Sequence, residues 1–336
     1  MHPHHPTART HRTSSTRRLI AAAALTLCGA SGVMAQSNVL LYGMVDLSVS
    51  SIKAPGGAEV KTLENGQMST SYFGFKGVED LGGGLSAQFA LEGFMRNDTG
   101  ATGRFNGDAY FARSSWVGLA NAYGALALGR NTTSLFVNTL VFNAFGDSFG
   151  FSPSIRHYFI SGTATGDTGW NDSIKFNSAN YGGLSFTGHV AAAEGSGGKN
   201  AGLSAMFFTG NLGLGGAWQE VKKGAAVDDT TTWQVSGSYD FKPVKVYAQY
   251  GKVDNDTTRK NYSISGLGGD LTLGQGKVLL QWGKISPDVG ADRTTVSVGY
   301  DYFLSKRTDI YAAYMSDKVS GLSSGTSYSG GIRHRF

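Results

Sequence analysis

Short runs in which apolar and polar residues alternate recur along most of this chain. In Leu85–Arg96 (LSAQFALEGFMR) one set of alternate residues is apolar or small, and the other set includes Ser, Gln, Glu and Arg. Residues 184–190 and 233–241 repeat the pattern. Successive side chains of a strand point to opposite faces, so strict alternation is typical of a β-strand with one apolar and one polar face. The pattern predicts an all-β protein.

The connections between these predicted strands alternate between short and long. The short ones are 79–84, 121–124, 178–183, 210–213, 242–243, 273–276 and 304–307. The longer ones lie near 53–67, 97–109, 131–172, 195–200, 224–230, 254–261, 287–292 and 319–325. Seven short and eight long connections predict sixteen strands. An even number closes a single-chain antiparallel barrel without a free edge, and sixteen strands leave an aqueous channel.

Residues 131–172 interrupt this regularity for about forty residues. Loops of this length are uncommon in compact proteins and are usually functional or disordered. Disordered segments lack aromatic residues, whereas this one contains six Phe and Tyr158. We therefore expect an ordered loop that folds into the barrel lumen and narrows it. An inserted cap or lid on the outside is the alternative.

The first 35 residues have the pattern of a secretory signal peptide. Four arginines and no acidic residue precede the apolar run 19–30, and small residues at Val33 and Ala35 suit a signal peptidase. The apolar run is too short to span a bilayer, which takes about 20 residues. We expect cleavage after Ala35, a signal peptide at 1–35 and a barrel domain at 36–336.

Removing this segment changes the charge and the cysteine content. Four of the 29 basic residues are lost, which leaves 25 against 24 acidic residues. A nearly neutral mature chain gives no argument for nucleic-acid binding. Cys28, the only cysteine, also lies in the predicted signal, which excludes disulfides and cysteine metal sites. We expect no metal and no cofactor.

The apolar strand faces could meet either a protein core or lipid. The opposite faces carry Ser, Gln, Thr and charged residues, as a water-filled lumen requires. Aromatic residues near predicted strand ends suit membrane-interface girdles, and alternating short and long connections are typical of bacterial outer-membrane barrels. These observations favour a transmembrane antiparallel β-barrel over a soluble secreted adhesin or sandwich.

The chain ends on a predicted strand. In the final residues, Tyr328, Gly330, Ile332, His334 and Phe336 share a face. A terminal Phe on such a strand suits recognition by a barrel-assembly machinery, although an edge strand that ends in Phe by chance has the same pattern.

At this point the sequence resembles the general trimeric porins of Gram-negative bacteria, of the neisserial and β-proteobacterial type. The resemblance covers most of the mature chain. It is carried by QSNVLLYGMVD (36–46), SYFGFKGVEDLGGGLSAQFALEGF (71–94), RSSWVGL (113–119), LGR (128–130), NDSIKF (171–176), YDYFLSKRT (300–308) and GIRHRF (331–336).

The resemblance implies a homotrimer of sixteen-stranded barrels in the outer membrane, exposed to lipid and lipopolysaccharide. It also implies that the third external loop, 131–172, forms the constriction, with basic wall residues facing acidic loop residues. The function implied is passive diffusion of small hydrophilic solutes and ions.

Alternation and the family motifs together predict the residues that set selectivity. Alternation places Lys76, Glu92, Arg96 and Lys175 on polar faces. Arg113 and Arg130 match the family's wall arginines by motif. Asp147 and Asp167 are the candidate counter-charges on the loop, with Asp172 at its exit. Each of these could also be an ordinary solvated or salt-bridged charge.

Tyr72 departs from the family pattern, which commonly has an arginine between the positions of Ser71 and Phe73. The substitution removes one wall charge, and fields in such clefts are focused by their low-dielectric walls. We therefore expect only a weak anion preference.

Two other functions are less consistent with the residues. A hydrolase needs a positioned nucleophile and base, and His157, His189 and His334 have no obvious partner at readable spacing. We therefore expect no enzyme activity. A substrate-specific channel of the same fold, for sugars, phosphate or carboxylates, is the alternative to a general porin.

Overall fold

The strands of the barrel form one closed antiparallel sheet. The computed structural model describes residues 38–160, 162–163, 166, 168–192, 198–222 and 227–336. The predicted signal peptide at 1–35 lies outside the described residues. Within them the strands are β1 (Asn38–Lys53), β2 (Glu59–Asn65), β3 (Tyr72–Gly82), β4 (Leu85–Arg96), β5 (Ala101–Thr102), β6 (Ser114–Asn121), β7 (Gly124–Thr132), β8 (Gly169–Ser178), β9 (Leu184–Ala191), β10 (Asn200–Thr209), β11 (Leu212–Val221), β12 (Thr230–Asp240), β13 (Val244–Asn255), β14 (Lys260–Leu273), β15 (Gly276–Pro287), β16 (Arg293–Phe303), β17 (Thr308–Val319) and β18 (Gly325–Arg335).

These segments build sixteen barrel strands, as predicted. β2 and β3 both pair with β1 and together form one interrupted strand. β5 is a two-residue segment that pairs only with the end of β4. β18 pairs with β1 over ten positions, from Met44↔Arg335 to Lys53↔Thr326, and this pairing closes the sheet.

The two faces of the sheet differ as the alternation predicts. Val235 and Leu280 are each 53% exposed, whereas their neighbours Gln234 and Gln281 are each 1% exposed. We call the face with Gln234 and Gln281 the polar face and the other the apolar face. An exposed apolar face on a closed barrel is the surface that lipid covers.

Most connections also follow the prediction, but the long connection predicted near 53–67 is wrong in extent, because residues 59–65 form β2 and pair with β1. All seven short turns lie at one end of the barrel, together with the first residue of β1 and the last of β18, and the longer connections lie at the other end. Exposed aromatic side chains lie in or beside the short turns, as in an interfacial girdle. They are Tyr123, Tyr181, Phe208, Phe241 and Phe303.

The long connection between β7 and β8 contains two short helices that the sequence reading did not predict. α1 spans Ser134–Val141 and α2 spans Pro153–Phe159. Thr133 and Ser152 are their N-caps, and each side chain accepts a hydrogen bond from the backbone N–H three residues later. Helices this short are marginal in isolation, so packing stabilises them. No helix among the described residues is both long and apolar enough to cross a membrane.

This connection packs against the polar faces of strands far apart around the sheet. Phe145 and Phe151 cluster with Met68, Leu279 and Tyr311, which lie near β3, on β15 and on β17. A second cluster joins the helices to β11, β13, β14 and β15; it contains Leu135, Tyr158, Ala217, Val253, Ile264 and Ile285. The described residues of this connection thus have the packing that an ordered loop requires, and its folding into the lumen stays a prediction.

Hydrogen bonds add to this packing. The Asn138 Nδ2 atom donates to Gln234 Oε1 at 2.6 Å, and Gln281 Nε2 donates to Ser154 Oγ at 2.7 Å. At Gly215 a Cβ atom would overlap Asn138 and Phe142, so the wall is glycine where α1 approaches it most closely. The loop is thus held in place by hydrogen bonds to polar side chains of the wall, and α1 can approach the wall closely because residue 215 is glycine.

Asp46 bridges the interruption between β2 and β3. Its carboxylate is fully buried and accepts hydrogen bonds from Met68 N (2.8 Å), Ser69 N (2.7 Å) and the Tyr311 hydroxyl (2.7 Å). Its backbone N–H donates to Ser71 Oγ. One carboxylate therefore satisfies backbone donors that would otherwise lack strand partners in residues 66–71.

We expect Asp46→Ala to destabilise the barrel by roughly 3 kcal/mol, because it leaves three donors without their acceptor. The readout is the temperature at which the folded, compact band in SDS electrophoresis is lost. The control is Asp256→Ala, at an exposed position between β13 and β14. Equal melting temperatures for the two variants would show that Asp46 does not stabilise the interruption.

Candidate functional site

Two cavities on the polar face share lining residues from the β7–β8 connection. One has a volume of about 660 Å³ and extends to Lys53, Arg104 and Gly166 at the long-loop end. The other has a volume of about 360 Å³ and extends to Lys277 and Arg335 at the short-turn end. Leu140 and Asp147 line both cavities. The cavities therefore meet at the end of α1 and the segment that follows it.

A cluster of paired charges and tyrosines lies on the wall at this level. The Arg113 guanidinium is 4.0 Å from the centre of the Tyr72 ring, and Arg113 Nε is 3.4 Å from Glu92 Oε2. The Tyr42 hydroxyl donates to Glu92 Oε1 at 2.6 Å, and Lys76 Nζ is 4.7 Å from the Tyr42 ring centre. Lys76 lies over the Tyr42 ring and Arg113 over the Tyr72 ring, and these cation–π contacts hold both cations against the wall.

This cluster limits which ligands can stack on the rings of Tyr72 and Tyr42. A sugar stacks on the open face of an aromatic ring, and here Arg113 and Lys76 cover faces of Tyr72 and Tyr42. Tyr72 thus supplies a ring that positions the neighbouring Arg113.

Asp147 provides a carboxylate on the loop side. It accepts a hydrogen bond from Ser69 Oγ at 3.1 Å. The charges of four residues act on the Tyr72 hydroxyl: Arg113, Glu92, Asp147 and Arg335. Of the predicted site residues, Tyr72, Lys76, Glu92 and Arg113 are therefore brought together on the wall, and Arg113 and Asp147 both line the larger cavity.

Three other predicted residues have different surroundings. Arg130 donates to Asn171 Oδ1 (2.8 Å) and to backbone carbonyls at the base of the connection. Arg96 donates to Asn106 Oδ1 at 2.8 Å in the β4–β6 loop. Lys175 donates to the Thr132 carbonyl at 2.8 Å. Their role in selectivity stays a prediction, and Asp167 lies outside the described residues.

The sequence reading missed a charged cluster on the last strands. Arg333 binds Asp301 and Asp309, each at 2.7 Å, and Arg335 binds Asp309 at 3.1 Å. Arg333 and Arg335 line the smaller cavity. The sequence could have placed Arg333 and Arg335 on the polar face, because they alternate with Ile332 and His334 of the predicted apolar face.

A second missed network ties α2 to the wall. Arg156 and Arg293 both pair with Asp317, Arg156 at 3.7 Å. Thr295 Oγ1 donates to Asp317 Oδ1 at 3.0 Å and lies 2.8 Å from His157 Nε2. Because the Thr295 proton is already used, His157 Nε2 must carry a proton and donate. Burial, with a smaller effect of Arg293, lowers the pKa of His157 to about 3.

Aromatic rings of the connection face the larger cavity. Phe136 stacks on Phe149 with 6.0 Å between ring centres, and meets Phe159 edge-on at 5.3 Å. Val137 and Leu140 of α1 continue this apolar surface. Across the cavity, the guanidiniums of Arg104 and Arg113 lie 5.0 Å and 5.8 Å from the centre of the Phe94 ring.

Comparison with known proteins gives a consistent result. A family model described as Gram-negative porin matches residues 21–322. Outer membrane porin protein 32 of Delftia acidovorans is 31% identical, covering 94% of this chain and 95% of that protein. Major outer membrane protein P.IB of Neisseria meningitidis serogroup B is 26% identical, covering 93% and 98%. The anion-selective porin from Comamonas acidovorans has a TM-score of 0.77 at 27% identity, covering 90% of this chain and 100% of that chain.

The buried His157 predicts a pH dependence of stability. Its folded pKa lies below the unfolded value of about 6.5, so the folded state loses stability as pH falls below about 6.5, by up to about 1.4 kcal/mol per pH unit. In His157→Gln, the part of the stability loss that comes from protonation of His157 should disappear. The measurement is a series of melting temperatures from pH 7 to pH 4. His334→Gln, at an exposed position, should keep this part of the loss. An unchanged slope in His157→Gln would contradict the assignment.

Proposed function

Because the chain belongs to the Gram-negative porin family, we propose that it is a general diffusion porin with a weak preference for anions. Membership in this family confirms the resemblance found in the sequence and, with the apolar exposed face of a closed barrel, places the protein in the outer membrane. The observation that supports the proposal best is the pair of cavities that meet at Leu140 and Asp147. Small hydrophilic solutes and ions are the permeant molecules.

The proposed mechanism is sieving by size and charge. The β7–β8 connection lies inside the barrel, an arrangement supported by its contacts with the polar faces of β11, β15 and β17 and with Met68 beside β3. Its acidic Asp147 lines the larger cavity together with the wall residue Arg113. Passage needs no catalytic step and no cofactor.

The charges of the predicted site support the anion preference. In the wall cluster two cations, Lys76 and Arg113, stand against one carboxylate, Glu92. The predicted wall residues Arg96, Arg130 and Lys175 are also cations. The relative from Comamonas acidovorans is described as anion-selective. Pairing of Arg113 with Glu92 and the neutral Tyr72 keep the preference weak.

The remaining partners follow from the family and from the exposed surface. We infer that three copies associate through their apolar faces, and that the rest of this face contacts lipid and lipopolysaccharide. We also infer that the barrel-assembly machinery reads Phe336, which is 40% exposed beside Ile332 and Tyr328.

A substrate-specific channel is the second candidate. The covered rings of Tyr72 and Tyr42 argue against a sugar path along the wall. The apolar surface of Phe136, Phe149 and Phe159 argues for organic solutes.

The test of the proposal is single-channel conductance in planar bilayers, followed by the reversal potential in a gradient of potassium chloride. Large steps that close in threes and a potential of the anion-selective sign are the expected result. Absent or very small steps would contradict a general porin, and clear cation preference would contradict the charge assignment.

We expect Arg113→Gln to lower the anion-to-cation permeability ratio roughly sevenfold, since a unit charge about 7 Å from an ion in water contributes about 0.6 kcal/mol, favourable for the anion and unfavourable for the cation. Asp147→Asn should raise the ratio. Arg307→Gln, in an exposed turn between β16 and β17, should leave it unchanged. Identical ratios for Arg113→Gln and Arg307→Gln would remove Arg113 from the constriction.

We expect Phe336→Ser to reduce the amount of folded barrel in the outer membrane severalfold, because it removes the apolar terminal side chain. Phe241→Ser, at a 64% exposed turn position, is the control. The measurement is the folded fraction in isolated outer membranes. Equal folded fractions would show that Phe336 is not read during assembly.

A further inference from the structure

The larger cavity has two opposing surfaces of different chemistry. One surface is the apolar side of the β7–β8 connection, formed by Phe136, Val137, Leu140, Phe149 and Phe159. The volume of about 660 Å³ is within the range of sites that hold small organic ligands. A pore that only sieved inorganic ions would gain nothing from this surface, because apolar groups offer hydrated ions no hydrogen bonds.

The opposite surface is cationic and aromatic. The guanidiniums of Arg104 and Arg113 lie 5.0 Å and 5.8 Å from the centre of the Phe94 ring. Arg104 is neutralised by Asp108, whose carboxylate it binds at 2.9 Å. Arg113 has a looser ion pair, with 3.4 Å between its Nε atom and Glu92 Oε2, and its side chain is 27% exposed, so its guanidinium is the better site for an incoming anion.

The arrangement of charge also orients a ligand. Asp147 of the connection and Arg113 of the wall both line the cavity, and Arg156 of α2 and Asp317 of β17 line it as an ion pair. A carboxylate is therefore repelled from Asp147 and attracted to Arg113. A ring attached to that carboxylate would then meet the apolar surface. Aromatic pairs with ring centres 4.5–7 Å apart are favourable, and Phe136 and Phe149 already pair in this range.

We propose that the larger cavity is a binding site for aromatic carboxylates, with the carboxylate at Arg113 and the ring against Val137, Leu140 and Phe149. The proposal rests on the proposed function, since it assigns a solute class to the same channel. A sugar lacks the charge, and a small inorganic anion lacks the apolar surface, so neither uses both sides of the cavity. Weak binding here would favour entry of these solutes from dilute solution.

The experiment uses the full protein in planar bilayers with a potassium chloride current. Benzoate is the probe, acetate is the carboxylate without a ring, and benzyl alcohol is the ring without a carboxylate. We expect benzoate to block the current at a roughly tenfold lower concentration than acetate, and benzyl alcohol to block no better than acetate. Equal blocking concentrations for benzoate and acetate would overturn the proposal.

Matched variants locate the site. The double substitution Val137→Ser/Leu140→Ser should raise the blocking concentration of benzoate to near that of acetate. Val289→Ser/Leu322→Ser makes the same changes at exposed loop positions and should leave it unchanged. Phe149→Ala is a second variant with the same expected loss, should the double variant fail to insert. An unchanged block in Val137→Ser/Leu140→Ser or in Phe149→Ala would overturn the assignment to this cavity.

The outcomes separate this proposal from the porin function. Channels that conduct with anion preference but show no difference between benzoate and acetate leave the porin function intact and refute the aromatic site. Protein that forms no channels at all refutes both.

Discussion

A backbone that crosses lipid must satisfy its hydrogen bonds within the protein, because hydrocarbon offers none. This chain meets the constraint by pairing its last strand with its first over ten positions. Closure removes the free edge and divides the residues of every strand into an apolar and a polar face. Strand pairing is interrupted at residues 66–71, where Asp46 replaces the missing strand partner.

The polar face then determines the site. The β7–β8 connection has few strong local preferences, and its two helices are too short to be stable alone. Its position comes from Asn138, Ser154 and His157, which bind polar wall residues, and from a wall glycine at Gly215. Both cavities are therefore bounded by side chains with fixed neighbours, which is what preorganised selectivity requires.

Much of the fold could be predicted because period-two alternation and turn residues are local signals. The number of strands, all seven short turns and the ordered aromatic loop followed from them. The helices α1 and α2 could not, since their stability depends on packing against distant strands. The site was partly predictable for the same reason: alternation identified Lys76 and Glu92, whereas the pairing of Arg156 with Asp317 joins elements about 160 residues apart in sequence.

Asp46 also links the beginning of the chain to its end. Its carboxylate binds Tyr311 across 265 positions of sequence, and the neighbouring Arg333 joins Ser69 to Asp301. Contacts of such separation form late, because the intervening chain must first be arranged. Until β17 arrives, the carboxylate lacks one of its three hydrogen-bond donors. An unfinished barrel is therefore less stable at its first strand, and the arrival of the last strands stabilises both ends of the chain together.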